Sequence, residues 1–316
     1  MIDSYGRKIN YLRISLTKRC NLNCSYCGAK CENEKELTAD EIEKIVKAFA
    51  FHGITKIRLT GGEPLLRRDI TEIAERISRI DGIKKIAVTT NGILLSSYAE
   101  KLKKAGVTAV NISLDTTDEA QFKEITGYDG LKKVFEGIDE CERVGLSPIR
   151  LNAVLIKGRN DSSAESLINI AREREIDVRF IELMPFSDEG ENPDNIIRGE
   201  DILKQFNYLE PVISEGASDF EKSVASYYTA PGFKGKIGFI TPVSHNFCSE
   251  CNRIRLLSDG KIKPCLGNNE VYDIMKYIDD EERLREEIGK IILSKPAKHS
   301  FSCGYGNHHG LNLIGG

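Results

Sequence analysis

Two sets of three cysteines are the residues in this chain best suited to chemistry. Cys20, Cys24 and Cys27 stand in the string KRCNLNCSYC, and Cys248, Cys251 and Cys265 in FCSECNRIRLLSDGKIKPC. Each set offers three thiolates, one short of the four that close an ordinary structural zinc or iron–sulfur site. A [4Fe–4S] cube held by three cysteines keeps one iron without a protein ligand. An open coordination position is what a metal site needs if it is to act on a bound molecule. The spacing therefore predicts a redox enzyme with two substrate-binding clusters. Spacing leaves zinc open at both places, with Cys31 completing the first site and His245 or His299 the second. Arg253 and Arg255 alternate onto one face of an extended segment beside the second set. Such a guanidinium pair suits bidentate recognition of phosphate, which a structural zinc ribbon does not require, although surface arginines can also be solvated charge.

Composition narrows the class. The 316 residues are 40% hydrophobic and 29% charged, ordinary proportions for a globular protein. No run of about 18 apolar residues is present, so no membrane span is expected. The opening MIDSYGRKIN lacks the apolar core of a signal peptide. A cytoplasmic location follows as an expectation, and reduced thiols there favour metal over disulfide. A net charge of −3 gives no basic field for nucleic acid, so positive charge for an anionic ligand must be local.

The elements that must position these residues follow from periodicity. Apolar, β-branched runs at 11–17, 55–60, 84–90, 108–114, 149–156 and 177–184 read as strands. Helical patterns fill the gaps at 38–51, 69–80, 97–105, 119–144 (broken near Gly127–Gly130) and 162–174. Capping boxes are spelled at Thr38–Glu41, Ser97–Glu100 and Ser162–Glu165, and Gly53, Gly106 and Gly145 mark helix ends. Just past the successive strands come the first cysteines, GGEP (61–64), TNG (90–92), SLD (113–115), KGRND (157–161) and ELMP (182–185). Functional loops at every carboxyl strand end fit an α/β fold, a six-stranded partial (βα) TIM-type barrel, better than a flat sheet with one switch point. Residues 1–186 form this barrel with the first cluster. Residues 187–316 begin with a polar linker (187–199) and form a smaller α+β region across its mouth or side, with the second cluster. Helices are expected near 200–206 and 279–293.

CNLNCSYC followed by GGEP resembles the radical S-adenosylmethionine superfamily. With the second triplet, Arg253, Arg255 and the terminal IGG, the chain resembles the molybdenum cofactor biosynthesis protein A family of GTP 3′,8-cyclases. The resemblance implies two [4Fe–4S] clusters and S-adenosylmethionine as cofactors. It implies a 5′-deoxyadenosyl radical that takes the ribose C3′ hydrogen of GTP, giving (8S)-3′,8-cyclo-7,8-dihydroguanosine 5′-triphosphate. Residue by residue, it places Tyr26, Gly62, Ser113 and Met184 around S-adenosylmethionine. Arg13, Arg58, Thr89, Lys157, Arg253 and Arg255 fall around GTP, with Arg179 less supported. It assigns Gly315 and Gly316 a reach back into the site, where an ordinary terminus would fray. An external electron donor, a downstream cyclic pyranopterin monophosphate synthase and a homodimer are the partners implied. Cys31 departs from the family pattern and reads as a loop thiol; Cys141 reads as core, and Cys303 with His308 and His309 as no further metal site. Asn91 and Asp115 could orient ligands or cap the helices that follow. Two other readings stay in view: a peptide maturase of the same superfamily, and a non-catalytic zinc module for RNA.

Overall fold

A computed structural model describes residues 1–27, 35–213 and 224–301. Cys31, Cys303, His308, His309, Gly315 and Gly316 lie outside the described residues. The first part of the chain alternates strand and helix: β1 (Tyr11–Ser15), α1 (Ala39–Phe51), β2 (Lys56–Thr60), α2 (Ile70–Ser78), β3 (Lys85–Thr90) and α3 (Leu95–Lys104). It continues with β4 (Ala109–Ser113), α4 (Glu119–Thr126), α5 (Leu131–Val144), β5 (Ile149–Val154), α6 (Ala164–Glu173) and β6 (Ile176–Ile181). Then follow α7 (Asp188–Glu191), α8 (Gly199–Gln205), β7 (Glu210–Pro211), β8 (Ser226–Thr229), β9 (Ile237–Ile240), β10 (Arg253–Leu256), β11 (Lys261–Lys263), β12 (Tyr272–Asp273) and α9 (Glu281–Leu293).

Strands β1 to β6 pair in chain order and in parallel, as right-handed helical crossovers require. Their side chains alternate between two environments. Leu12, Ile14, Ile57 and Leu59 are fully buried against the helices, while Arg13 and Arg58 point to the opposite, interior face. Helix α1 starts where its capping box predicts, with Thr38 and Glu41 bonded reciprocally, and buries Ile42, Ile45, Val46 and Phe49. Gly145 ends α5 in a left-handed conformation at φ +68°, a turn that a β-carbon would strain.

The other two capping spellings are not used. Helix α3 begins at Leu95, so Ser97 already lies inside it. Ahead of α6, a 3-10 turn over Asp161–Ser163 takes up the serines; Ser163 Oγ bonds Thr116 and Gln121, partners far away in sequence. The polar 187–199 segment is also more regular than a linker, forming α7 and a 3-10 turn at Pro193–Asn195.

The region after residue 186 joins the barrel at its sides. Strand β10 pairs in parallel with β1, and β9 in parallel with β6, so both edges of the six-stranded unit are covered. The described residues thus share one twelve-stranded sheet, ordered β12-β11-β10-β1-β2-β3-β4-β5-β6-β9-β8-β7. Among them no helix is long and apolar enough to cross a membrane.

Asn160 ties the ends of β4 and β5 together. It is fully buried, donates to Asp115 O (2.9 Å) and Val154 O (3.0 Å), and accepts from Ile156 N–H at 2.7 Å. Asn160→Ala orphans all three backbone groups, so chemical unfolding of the apoprotein should register a loss of about 2–4 kcal/mol. A loss within about 0.5 kcal/mol would show that the knot is not structural.

Candidate active site

The loop bearing Cys20, Cys24 and Cys27 leaves the carboxyl end of β1 and is braced by the glycines that follow β2. Gly62 N–H donates to Thr17 O at 2.7 Å and Glu63 N–H to Arg19 O at 2.8 Å. A β-carbon at Gly62 would stand 2.3 Å from Arg19 O, and one at Gly61 2.4 Å from Thr17 O, so only glycine permits this approach. Glu63 is fully buried and accepts from Leu65 N, Asn91 N and Thr90 Oγ1. Burial pushes its carboxyl up to about 7 against the pull of those donors. Asn91 reaches Asn21 Oδ1 at 2.8 Å and Cys20 Sγ at 3.9 Å, and its own Oδ1 accepts from Ile93 N–H.

Tyr26 hydroxyl donates to Asp115 Oδ2 at 2.6 Å, and Asp115 Oδ1 accepts from Val154 N–H at 2.8 Å. Asp115 is therefore not a helix cap; Asp118 caps α4 instead. Cys24, Tyr26, Asn91, Ser113 and Asp115 line one small cavity. Burial, and then Asp115, push the Cys24 thiol well above its usual range.

Inside the sheet the cations align. Arg255 stands opposite Arg13 across β10 and β1, Arg13 opposite Arg58 across β1 and β2, and Lys263 opposite Arg255 across β11. Residues in register share a face, so four cations form one lateral row on the interior side. Arg58 bonds Tyr11 and Thr89 hydroxyls, the latter at 3.2 Å. Among the described residues Arg58, Arg253, Arg255 and Lys263 have no carboxylate partner, and the buried Nε atoms of Arg253 and Arg255 find no acceptor. Burial and then Arg253 bring Arg255 down to about 10; burial and then Arg255 bring Lys263 down to about 8. Arg13 is pushed well down by burial, Arg255 and Arg58. Across the interior, the Arg179 guanidinium donates to Asn152 Oδ1 (3.0 Å) and to Asn111 Oδ1.

The second triplet sits at the other end of the strands. Cys248–Glu250 make a 3-10 turn just before β10, and Asn252 O receives the N–H groups of Asn10 and Tyr11. With β10 parallel to β1, these cysteines lie at the amino end of the paired strands and the first triplet at their carboxyl end. From sequence the second region was expected across the mouth or side of the barrel, and its triplet lies away from the carboxyl-end loops that carry the other motifs. The five-residue strand between spans about 15 Å, and the cation row occupies that interval. Burial would raise the Cys251 thiol, but Arg253 and Lys295 bring it down to about 6.

The histidines offered as zinc ligands are engaged elsewhere. His299 Nε2 meets Pro242 O at 3.0 Å with its ring against Phe301; His245 is exposed and 3.8 Å from Glu200. Among the described residues no three His, Cys, Asp or Glu side chains converge on one ion.

Residues 14–171 match the Radical SAM superfamily, and residues 176–301 match Molybdenum Cofactor Synthesis C. A GTP 3′,8-cyclase of Alkaliphilus oremlandii is 46% identical over 325 residues, covering 100% of this chain and 100% of its own. Another, of Peptoclostridium acidaminophilum, is 43% identical over 323 residues, covering 100% and 98%. The chain belongs to the radical SAM superfamily, in the GTP 3′,8-cyclase family. In fold it is similar to crystalline Streptococcus suis SuiB bound to S-adenosylmethionine, with a TM-score of 0.65 at 19% identity; the alignment covers 86% of this chain and 65% of that one.

The cofactors of a radical SAM cyclase, [4Fe–4S] clusters and S-adenosylmethionine, fit what is here. Each triplet gathers three thiols, Cys20, Cys24 and Cys27 in the loop after β1 and Cys248, Cys251 and Cys265 beside the start of β10 and the end of β11, and supplies no fourth protein ligand among the described residues. Of the residues marked from sequence, Tyr26 and Ser113 share the cavity with Cys24, and Gly62 supports the loop before Cys20. Met184 packs against the cluster of Phe186 and Leu257, as do Phe301 and Leu266, the neighbour of Cys265 in sequence. Arg13, Arg58, Thr89, Arg253 and Arg255 come together. Lys157 is exposed in the loop after β5, its backbone N–H on Asn195 O, and no described contact links its side chain to the row. Tyr11, Asn111, Asn152 and Lys263 were missed, though their strand alternation with buried Leu12, Ile112, Leu151 and Ile262 carried the signal. Gly62→Ala should displace the first loop: iron per chain in reconstituted protein should fall from about eight toward about four, the content of the second cube. Full iron in this variant would refute the tight-approach argument.

Proposed function

We propose that this chain converts GTP to (8S)-3′,8-cyclo-7,8-dihydroguanosine 5′-triphosphate, the first step of molybdenum cofactor biosynthesis. The observation that carries the reading is the cation row Lys263–Arg255–Arg13–Arg58, set between the two cysteine triplets and, among the described residues, lacking a carboxylate partner at Lys263, Arg255 and Arg58. Adjacent like charges on neighbouring strands repel, and a triphosphate is a ligand with enough negative charge to offset them. A peptide maturase gives no reason for the row. A zinc module gives none for two separated triplets.

Cys20, Cys24 and Cys27 hold the first cluster in this reading, and Cys248, Cys251 and Cys265 the second. When bound, the first cluster and S-adenosylmethionine supply a carbon radical able to take the ribose C3′ hydrogen. Tyr26, Gly62, Ser113 and Met184 receive S-adenosylmethionine, with Tyr26 fixed by Asp115. Arg13, Arg58, Thr89, Lys157, Arg253 and Arg255 receive GTP, and Arg179 joins them from across the barrel. A closed interior keeps water from so reactive a species. Gly315 and Gly316 arrange an arginine of the site. We also assign residues 1–186 to the barrel domain and 187–316 to the second, a cytoplasmic location, an external electron donor, a homodimer and a downstream cyclic pyranopterin monophosphate synthase.

The test is anaerobic incubation of reconstituted protein with GTP, S-adenosylmethionine and a reductant. The expected result is 5′-deoxyadenosine formed only when GTP is present; formation without GTP would discard the cyclase reading. Removing Gly315 and Gly316 should abolish cyclisation with iron content unchanged, and an active truncation refutes the tail assignment. Arg255→Ala should weaken GTP binding about 10–100-fold, the loss of one charge-assisted contact, without lowering the melting temperature of the apoprotein, because a repulsive neighbour is removed. Unchanged affinity with lower stability would make Arg255 a structural residue.

A further inference from the structure

Two buried cations hold the second triplet from behind, and neither has a role in the reaction as drawn above. We propose that Lys295 is a positioning residue for the second cluster, fixing its ligand loops and setting the charge around it; this rests on reading Cys248, Cys251 and Cys265 as a cluster site.

Lys295 follows α9 and is 2% exposed. Its ammonium donates to Arg253 O at 2.8 Å and Pro264 O at 2.7 Å. Those carbonyls belong to the residue two past Cys251 and the one just before Cys265. Arg7 completes the brace. Its Nη1 donates to Cys248 O (2.9 Å) and Ala297 O (3.1 Å), and its Nη2 to Lys295 O (3.3 Å) and Pro296 O (2.8 Å). The backbone at or beside each of the three cysteines is therefore bonded to one of two neighbouring cations.

The two differ in charge balance. Arg7 is paired with Asp3 at 2.6 Å. Lys295 has no carboxylate partner among the described residues, and the anionic groups that act on it are the thiols of Cys251 and Cys265. An ammonium withdrawn from water without a counter-charge is costly. Its stable place is beside a centre of net negative charge, and a cube bearing three thiolates is one. Adding an electron makes that centre more negative, so a fixed neighbouring cation favours the reduced form. The first triplet has the opposite surroundings, with Asp115 acting on Cys24 and Glu63 on Cys20.

The experiment compares full-length parent, Lys295→Met and Lys295→Arg after anaerobic reconstitution, by iron content and by redox titration followed with electron paramagnetic resonance. Lys295→Met should lower the midpoint potential of one cluster and leave the other at its parent value, and Lys295→Arg should restore it. A parent potential at both clusters in Lys295→Met, or an equal shift at both, overturns the proposal. Where Lys295→Met keeps only about four irons per chain, recovery in Lys295→Arg with parental melting of both apoproteins supports it. Loss in both variants with lowered apoprotein melting makes Lys295 an ordinary core residue and overturns it. A parent chain with about four irons refutes the second cluster itself and takes this inference with it.

Discussion

Repulsion within the cation row is the constraint around which the interior is arranged. Arg255, Arg13 and Arg58 sit on adjacent parallel strands, with Lys263 beyond them on β11. Unit charges at the strand spacing of about 4.8 Å would repel by about 3 kcal/mol per pair at an effective dielectric of 20. Long side chains splay to reduce this, but burial on the interior face limits how far. The opposite face of the same strands buries Leu12, Ile14, Ile57, Leu59, Ile254 and Leu256 against the helices. Apolar packing on one side thus fixes the register that forces the guanidinium groups together on the other. Positive charge concentrated in this way suits the polyanionic ligand proposed above.

The same interior separates two electrostatic environments. At the carboxyl end of β1, Glu63 and Asp115 lie beside the first triplet, and burial with Asp115 raises the Cys24 thiol. At the amino end of β10, Arg253 and Lys295 lower Cys251 to about 6. Negative surroundings disfavour the reduced state of an iron–sulfur centre and positive surroundings favour it. On the proposed reading, the first environment would suit a cluster that supplies low-potential electrons. The second would suit a cluster set close to the arginines proposed to receive GTP.

Legibility in the sequence followed the range of the interactions involved. The strand–helix alternation, the broken 119–144 helix and the capping box at Thr38 are local features, and local pattern placed them. Ser97 and Ser162 carry the same spelling and do not cap, because helix α3 begins earlier and Ser163 takes partners some 40 residues away. The inward placing of Arg13 and Arg58 was readable from alternation. That Arg255 would stand beside Arg13 was not, since the pairing of β10 with β1 joins segments about 240 residues apart. Lys295 had no signal at all: its partners are two carbonyls on separate loops.

Arg179 illustrates how the chain orients charge without cancelling it. Its guanidinium is held by amide oxygens of Asn111 and Asn152, on the two preceding strands, and Asn111 is fully buried. Carboxylates in those places would bind the guanidinium more strongly and neutralise it. Amides fix the fork through neutral hydrogen bonds and leave its charge available to the interior. Arg150, one turn of the pleat away, is instead paired with Asp177 at 3.5 Å. Among the described residues Arg150 is thus neutralised by an acid, whereas Arg179 is held by two amides. Arg58, held by the hydroxyls of Tyr11 and Thr89, stands with Arg179 in having no carboxylate partner among the described residues.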